Sequence, residues 1–275
     1  MVAARFDVNL SILFTELPLL ERPAAARAAG FDAVEFWWPW PVAVPSDAEI
    51  DRFVDAVAEA EVALVGLNFF AGDMPGGDRG VLSWPERSSE FRDNVDVALG
   101  IGERLGCRAF NALYGNRRPD ADPEAQDELA TENLVLAARA AQRIAGTVLV
   151  EPVSGAAEYP LLRAVDALSV IDRVRRAGEV DNVRLLLDVY HLAVNGDDVD
   201  AAIGRASGLI GHVQIADAPG RHEPGTGELD LDRYLERIHA TGYDGWVGLE
   251  YKPSGSSADS LAWLDRAARS APASR

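Results

Sequence analysis

The stretch WVGLEYKP, residues 246–253, decides the fold, because an apolar strand runs into a glutamate just before turn residues. Three earlier stretches have the same form: TVLVEP at 147–152, VRLLLD at 183–188 and IGHVQIAD at 210–217. Parallel strands in one barrel sheet bring their carboxyl ends to the same face. The pattern therefore predicts that four oxygen-bearing side chains meet at one face: Glu151, Asp188, Gln214 and Glu250.

The rest of the chain repeats the same rhythm of strand and helix. We predict strands over 5–11, 33–37, 62–68, 108–113, 147–151, 183–188, 209–216 and 246–251. We predict helices over 18–29, 46–61, 85–105, 123–145, 159–177, 198–205, 231–241 and 256–269, the last closing the fold. Ser46 and Glu49 form a capping-box pattern at the second helix. Glycine-rich residues 71–80, after the third strand, are expected to line or cover a site.

Eight strand–helix units predict an α/β fold, a single (β/α)8 TIM barrel. A doubly wound open sheet is the alternative, but the glycine fingerprint of a dinucleotide fold is missing after the first strand. No change of composition and no low-complexity linker divides the 275 residues. We therefore expect one domain over 1–275, with a frayed, disordered tail at about 270–275.

The charge balance limits the possible partners. The chain has 26 Lys and Arg against 44 Asp and Glu, for a net charge of −18. Nucleic acid and anionic membranes would repel such a protein, although a small anion can still bind locally. A single cysteine, Cys107, excludes an internal disulfide framework and fits a reducing compartment. Because signal-peptide and membrane-span patterns are also missing, we expect a cytoplasmic protein without nucleic-acid or membrane partners.

Three carboxylates and an amide oxygen at one face predict a divalent-cation site. Oxygen ligands suit hard cations, and the metal charge relieves the repulsion that would otherwise raise at least one carboxyl pKa. Glu151 and Glu250 favour function, since glutamate is a poor helix cap, whereas Asp188 could also cap a helix or pair with an arginine. At two further strand ends, Glu35 and Asn111 are interpreted as caps or as supports for the ligands.

Loop residues beyond these strands are candidate substrate contacts. His191 follows Asp188 by one turn, and Arg221 lies in the long polar loop 217–228. Arg221 could hold a substrate carboxylate or form a surface salt bridge, and Glu158, after the fifth strand, is similarly open.

Other residues extend the picture around the predicted site. His212 shares strand parity with Gln214, so it is predicted to face the interior one layer deeper, while His239 is predicted at the surface. The aromatic runs 36–40 and 69–70 could roof the pocket or form a contact in a homo-oligomer.

At several of these segments the sequence resembles the hydroxypyruvate isomerase family, within the xylose isomerase-like TIM barrels. The matching segments are GLNFFAGDM (66–74) with RG (79–80), VEP (150–152), DVYH (188–191), GHVQIAD (211–217), PGRHEPGTGE (219–228) and YDGWVGLEYKP (243–253). They span most of the chain, and the loop after the seventh strand is far more specific than a short motif.

The resemblance implies that Glu151 and Glu250 are the catalytic acid/base pair. It also implies that both glutamates join Asp188 and Gln214 around a divalent metal, Mg or Mn, and that no nicotinamide is needed. Glutamine at 214 resembles the hydroxypyruvate isomerase branch, whereas ketose 3-epimerases carry histidine at that position. The same resemblance supports three substrate contacts: His191, Arg221 and Glu158.

The implied reaction converts hydroxypyruvate to tartronate semialdehyde (2-hydroxy-3-oxopropanoate) through an ene-diolate, so the expected partner is a small carboxylate-bearing substrate. The alternatives are a 2-oxo-tetronate isomerase, a sugar isomerase or 3-epimerase of the same superfamily, and a barrel that only binds a ligand. An endonuclease of this superfold would need a basic surface and a histidine-rich zinc site. Four histidines and a net charge of −18 count against it.

Overall fold

A computed structural model describes residues 4–270, and its eight strands are all parallel and close into a barrel. Each strand pairs with the next, and the eighth pairs with the first. The strands are β1 Arg5–Asn9, β2 Ala33–Phe36, β3 Ala63–Asn68, β4 Ala109–Asn111, β5 Thr147–Val150, β6 Val183–Asp188, β7 Ile210–Ile215 and β8 Trp246–Leu249. The predicted (β/α)8 TIM barrel is confirmed.

Helices surround the barrel and connect its strands. They are α1 Arg22–Ala29, α2 Asp47–Glu59, α3 Ser88–Leu105, α4 Pro123–Gln142, α5 Ala164–Gly178, α6 Val189–Val194, α7 Val199–Arg205 and α8 Leu231–Ala240. Short 3-10 turns lie at Leu19–Glu21, Pro85–Arg87, Asp259–Leu261 and Arg266–Ala268. Apart from α6, every one of these helices lies close to a predicted one.

The second helix shows how local sequence sets these boundaries. The carboxylate of Glu49 accepts hydrogen bonds from the backbone N–H of Ser46 at 2.9 Å and from its hydroxyl at 2.6 Å, so the predicted capping box is confirmed. The helix then buries Phe53, Val54 and Val57 in the core. The capping box thus sets where α2 begins, and the apolar face of α2 sets how the helix packs.

Glycines inside the barrel make room for polar side chains. A Cβ atom at Gly248, in β8, would lie 2.6 Å from Oε1 of Glu35, and one at Gly66, in β3, would lie 2.9 Å from Oε2 of the same residue. No real Cβ tolerates such a contact, so both strands need glycine beside Glu35. The interior at this level therefore holds a buried carboxylate instead of an apolar layer.

The predicted closing helix over 256–269 is wrong, because the described part of this segment forms two 3-10 turns. Its polar groups form hydrogen bonds with other segments of the same chain instead of with one another in a helix. The hydroxyl of Ser257 contacts the backbone N–H of Phe14 at 2.6 Å and Glu16 at 2.9 Å. The Arg269 guanidinium donates to the carbonyl of Ala29 at 2.9 Å. These tertiary contacts override the helical propensity of the segment.

Two other predicted boundaries shift. The helix predicted from residue 159 begins at Ala164, because Tyr159 is buried and its hydroxyl donates to the carbonyl of Glu151 at 3.0 Å. Residues predicted as a loop after β6 form α6, which the Asp188 side chain caps by accepting from the backbone N–H of His191 at 3.1 Å. A residue assigned to the site thus also starts a helix.

Cys107 lies in the turn between α3 and β4 and is fully buried. Burial raises the pKa of its thiol to about 12. Within residues 4–270, no helix is both long and apolar enough to cross a membrane. Residues 271–275, which include most of the predicted tail, lie outside the described residues, so the tail and the single domain over 1–275 stay predictions.

Candidate active site

The four strand-end residues meet at the carboxyl end of the barrel, as predicted. Glu151, Asp188, Gln214 and Glu250 are all buried, with at most 4% of any of them exposed. Asp188 and Gln214 are register partners on adjacent strands. The carboxylates of Glu151 and Glu250 line a pocket of about 870 Å³.

Two oxygen atoms of this group are buried without a hydrogen-bond partner: Oδ2 of Asp188 and Oε1 of Gln214. The orientation of Gln214 is fixed, because its Nε2 donates to Glu35 at 2.7 Å and an ionised carboxylate can only accept. Its carbonyl oxygen is therefore an unused acceptor. Unpaired buried acceptors are uncommon and costly. They fit a site that binds a cation.

Burial and mutual repulsion raise the pKa values of the three carboxyl groups. Burial is the largest cause in each case. It raises the pKa of Glu250 to about 8 and that of Asp188 to about 6. The pKa of Glu151 is raised well above its usual value by burial and then by the charges of Glu250 and Asp188. A bound cation would remove this penalty.

Each glutamate is oriented by one neutral donor. Nδ2 of Asn111 donates to Oε2 of Glu151 at 2.7 Å, so Asn111 supports a site carboxylate instead of capping a helix. Nε1 of Trp37 donates to Oε1 of Glu250 at 3.3 Å. Such donors hold the carboxylates in place without adding a charge to the pocket.

Arg221 lies inside the pocket, so its interpretation as a surface salt bridge is wrong. Its guanidinium contacts the carboxylate of Glu250 and lies 3.9 Å from Oδ2 of Asp188. It also lies over the ring of Tyr190, 5.4 Å from the ring centre. Only 15% of the Arg221 side chain is exposed. The arginine therefore partly neutralises the carboxylates that the sequence assigned to a metal.

His191 faces the same group with a defined tautomer. Its Nδ1 accepts from the backbone N–H of Ser154 at 3.0 Å, and a backbone N–H can only donate. Burial, followed by the charges of Arg221 and Arg79, holds its pKa well below the usual value. The imidazole is therefore neutral and carries its proton on Nε2.

This tautomer decides what His191 can do. Its Nε2 lies 3.6 Å from Oδ2 of Asp188 and 3.8 Å from Oε1 of Glu151, which is the spacing of a possible metal-ligand group. A histidine ligand needs a lone pair on the nitrogen that faces the metal and usually donates through the other one. His191 has the reverse arrangement. It is built to donate a hydrogen bond into the pocket.

A second polar layer lies deeper in the barrel. Nε2 of His212 lies 2.7 Å from Oε2 of Glu35, and Asn9 donates to the other oxygen of Glu35 at 3.0 Å. The interior position predicted for His212 is confirmed. Glu35 is not a helix cap, because its carboxylate points into the barrel and binds Gln214.

The charges of this deeper layer largely balance. Burial alone would lower the pKa of His212, but the charge and hydrogen bond of Glu35 outweigh it and raise the value to about 9. Burial would raise the pKa of Glu35, yet His212 brings it below the usual value. Burial and the Glu35 charge raise the pKa of Asp7 well above its usual value, which favours its neutral form.

Two candidates lie away from the pocket. Glu158 is exposed and does not line the pocket, and its backbone carbonyl accepts from the N–H of Arg117 at 2.7 Å. The structure therefore does not bring Glu158 to the other candidates. His239 is exposed in the last turn of α8, as predicted.

The aromatic roof is confirmed in part. Trp37, Trp38, Trp40 and Phe70 line the pocket, whereas Phe69 is buried in the core. Sequence reasoning missed the direct contact of Trp37 with Glu250. The aromatic run 36–40 after a strand was the available signal.

Three more functional positions were missed. The sequence did not identify the anchor of His191, the buried acid on β1 or the pocket arginine of the glycine-rich loop. That loop, residues 71–80, does line the pocket as expected and was the signal for the arginine. The residues concerned are Ser154, Asp7 and Arg79. Of the two interpretations of Glu35, its hydrogen bond from Gln214 supports the second, a support for that residue.

Comparison with known proteins places the chain in a family. The family model of the xylose isomerase-like TIM barrel matches residues 23–267. A proposed hydroxypyruvate isomerase of Streptomyces coelicolor is 56% identical over 272 residues, which cover 97% of this chain and 98% of that protein. A 2-oxo-tetronate isomerase of Cupriavidus necator is 36% identical over 262 residues, covering 94% and 97%.

A solved structure agrees with these sequence matches. The crystal structure of a Brucella melitensis protein described as an AP endonuclease of family 2 has a TM-score of 0.85 and 36% identity, covering 95% of this chain and 98% of that one. The chain belongs to the hydroxypyruvate isomerase family, within the xylose isomerase-like TIM barrels.

Proposed function

We propose that the protein isomerises a small hydroxy-oxo acid, converting hydroxypyruvate to 2-hydroxy-3-oxopropanoate with the help of a divalent metal. One observation carries the proposal: two buried glutamates with raised pKa values, Glu151 and Glu250, face one pocket beside two unpaired acceptor oxygens. This arrangement combines proton-transfer groups with a cation site. Ene-diolate isomerisation needs both.

Four side chains would hold the metal: Glu151, Asp188, Gln214 and Glu250. Their donors are all oxygens, and two of these are unpaired in the structure, so the residues fit a hard cation such as Mg²⁺ or Mn²⁺. When bound, the ion would polarise the substrate carbonyl and stabilise negative charge on the adjacent oxygens.

The two glutamates would move the proton between carbons. One carboxylate takes a proton from the hydroxyl-bearing C3 of hydroxypyruvate, and a carboxylic acid returns a proton to C2. The hydroxyl proton passes from the C3 oxygen to the C2 oxygen, so the product is an isomer and nothing is oxidised overall. Burial and mutual repulsion raise the pKa values of both carboxyl groups, so each can hold a proton as well as accept one.

His191 and Arg221 would contact the substrate oxygens. The Nε2–H of neutral His191 donates to the oxygen on which negative charge develops. Arg221, beside Glu250, contributes a fixed positive charge on that side of the pocket. Together they stabilise the ene-diolate without taking part in proton transfer between the carbons.

A four-carbon acid is the second candidate substrate. The similarity to the Cupriavidus protein favours it, since that protein is named a 2-oxo-tetronate isomerase. Both acids present the same hydroxy-oxo pair, and they differ by one carbon at the far end. The net charge of −18 and the carboxylate-lined pocket favour either acid over a nucleic-acid substrate.

The test is NMR in D₂O with hydroxypyruvate and 2-oxo-tetronate offered separately. The protein is first treated with a chelator and then given Mg²⁺ or Mn²⁺. Only after metal is restored do we expect deuterium incorporation, with aldehyde formation if hydroxypyruvate is the substrate or 3-oxo-acid formation if 2-oxo-tetronate is. If neither acid exchanges its carbon-bound protons under any metal, the proposal is wrong.

A further inference from the structure

Three arginines line the pocket, Arg22, Arg79 and Arg221, and Arg79 has no acidic partner among the described residues. Arg79, in the glycine-rich loop, lines the same pocket as Glu151 and His191. Its Nη1 donates to the backbone carbonyls of Met74 at 3.1 Å and Asp78 at 2.7 Å. Within residues 4–270 no carboxylate forms an ion pair with it, and its Nη2 and Nε make no hydrogen bond there. Two donor positions are therefore available to a ligand.

The neighbouring arginines are already engaged. Arg22 donates from Nε to the carbonyl of Leu17 at 3.0 Å and from Nη1 to that of Leu10 at 2.8 Å. Arg221 contacts Glu250 and lies 3.9 Å from Asp188. Arg87, which follows the same loop, pairs with Asp78 at 2.9 Å and with Glu90 at 2.7 Å. In a protein with a net charge of −18, an arginine that faces a pocket without a carboxylate is available for an anionic ligand.

The loop is braced so that Arg79 keeps its position. Gly80 has φ +103°, and a Cβ there would lie 1.9 Å from the carbonyl oxygen of Leu113, so the loop packs directly against the chain after β4. The carbonyl of Arg79 accepts from the N–H of Gly115 at 2.8 Å, and Gly80 donates to Ala71 at 2.9 Å. A guanidinium held in this way loses little freedom when it binds a ligand.

We propose that Arg79 binds the carboxylate of the substrate and so makes the pocket select acids over neutral sugars. The inference rests on the proposed function and names the residue that recognises the substrate class. Arg79 lines the pocket together with Glu151 and Glu250. The reacting carbons lie at the end with Glu151 and Glu250, and the carboxylate points towards Arg79. Arg221, which was predicted from the sequence as a possible partner of that carboxylate, stays beside Glu250.

The test compares Arg79→Met, Arg79→Lys and Arg87→Met in the Mg²⁺-loaded protein. Tartronate, a dicarboxylate analogue, serves as the probe in calorimetry, and hydroxypyruvate and dihydroxyacetone serve as acidic and neutral substrates. Loss of a charged hydrogen-bonding partner should weaken tartronate binding and raise the hydroxypyruvate KM about 10- to 100-fold in Arg79→Met, with kcat changed less than about threefold. Arg79→Lys should recover part of the loss, and deuterium exchange into dihydroxyacetone should not change.

The inference is overturned if Arg79→Met binds tartronate as the wild type does, or if the wild type does not bind it. It is also overturned if Arg87→Met loses as much affinity, because the loop and not the Arg79 charge would then be responsible. Turnover by the wild type is a separate readout. If neither acid is isomerised, the proposed function fails, and tartronate binding still decides the role of Arg79.

Discussion

Two layers of polar residues inside one barrel have similar compositions and different surroundings. The upper layer contains Glu151, Asp188 and His191, and the lower layer contains Asp7, Glu35 and His212. In both layers one ligand atom from each residue lies within 4.8 Å of the others, close enough to hold a metal ion. Spacing alone would make both of them metal sites.

Charge pairing and access to the pocket separate the two layers. Glu35 accepts from Asn9, His212 and Gln214, and His212 supplies the positive charge that a metal would bring. Both layers keep unpaired oxygens, on Asp188 above and on Asp7 below. The upper layer lines the pocket through Glu151 and His191, whereas none of the three lower residues does. A carboxylate paired with a buried histidine away from the pocket supports the fold, while mutually repelling carboxylates beside a pocket are candidates for chemistry.

The largest expected effect concerns the upper layer. Replacing Glu151 or Glu250 by Gln removes a proton-transfer group and exchanges a charged oxygen donor for a neutral one, so isomerisation should fall at least about 10³-fold. Turnover of hydroxypyruvate measures the loss, and the melting temperature checks the fold. Glu158→Gln is the matched control, and we expect wild-type turnover. Near-normal turnover in either pocket variant would contradict a catalytic role for the upper layer.

The next effect concerns the link between the layers. Glu35→Met removes the acceptor that orients Gln214, so Mg²⁺ affinity should fall about 10- to 100-fold even though Glu35 is not one of the proposed metal ligands. Asp7→Asn is the control in the same layer, since asparagine keeps the shape of Asp7 and Asp7 does not contact Gln214. Calorimetric Mg²⁺ titration measures both. Equal losses would show that the lower layer acts only through general stability.

The pH dependence of metal binding follows from the raised pKa values. A carboxyl group whose folded pKa is raised stabilises the metal-free fold at low pH, and this stabilisation is lost as pH rises towards the folded pKa. For Glu250 that window runs from its usual value of 4.5 to about 8, and for Asp188 from 3.8 to about 6.

Metal must displace these protons, so affinity for Mg²⁺ should rise by up to about tenfold per pH unit between pH 6 and 8. Titrations in buffers of different ionisation enthalpy measure the proton release. The melting temperature of the metal-free protein should fall over the same range and recover with Mg²⁺. Affinity independent of pH would contradict the protonated state of the upper layer.

The smallest effect concerns the anchor of His191. Ser154→Ala removes a hydroxyl that lies 2.7 Å from Nδ1 but keeps the backbone N–H that fixes the tautomer. We expect kcat to fall only about threefold, which is the size of one neutral hydrogen bond. A loss as large as that of His191→Ala would show that the hydroxyl, and not the backbone, sets the proton on Nε2.

The sequence was enough to predict the barrel and the meeting of four strand-end side chains at one face. A strand pattern that ends in Glu or Asp needs only the parallel topology to place its side chains together. The sequence left the role of Glu35 open between a cap and a support. Its pairing with His212 was not accessible, because His212 lies 177 residues away and the pairing depends on glycines packed beside Glu35. The proton position on His191 likewise depends on a backbone N–H from another loop.

The errors in secondary structure have the same origin. The segment 256–269 has a helical composition, and contacts with Phe14, Glu16 and Ala29 turn it into 3-10 turns. Local sequence determines α2 correctly because its capping box and apolar face lie within the helix. Structure that depends on partners distant in sequence was the part that could not be predicted.

The single thiol is a natural probe of local unfolding. Cys107 is fully buried, and with a pKa of about 12 it has almost no thiolate at neutral pH. An alkylating reagent can therefore reach it only after the turn between α3 and β4 opens. The labelling rate, followed by mass spectrometry, would report opening of the barrel wall without an engineered probe. Its change on adding Mg²⁺ would show whether the upper layer stabilises a region that it does not touch.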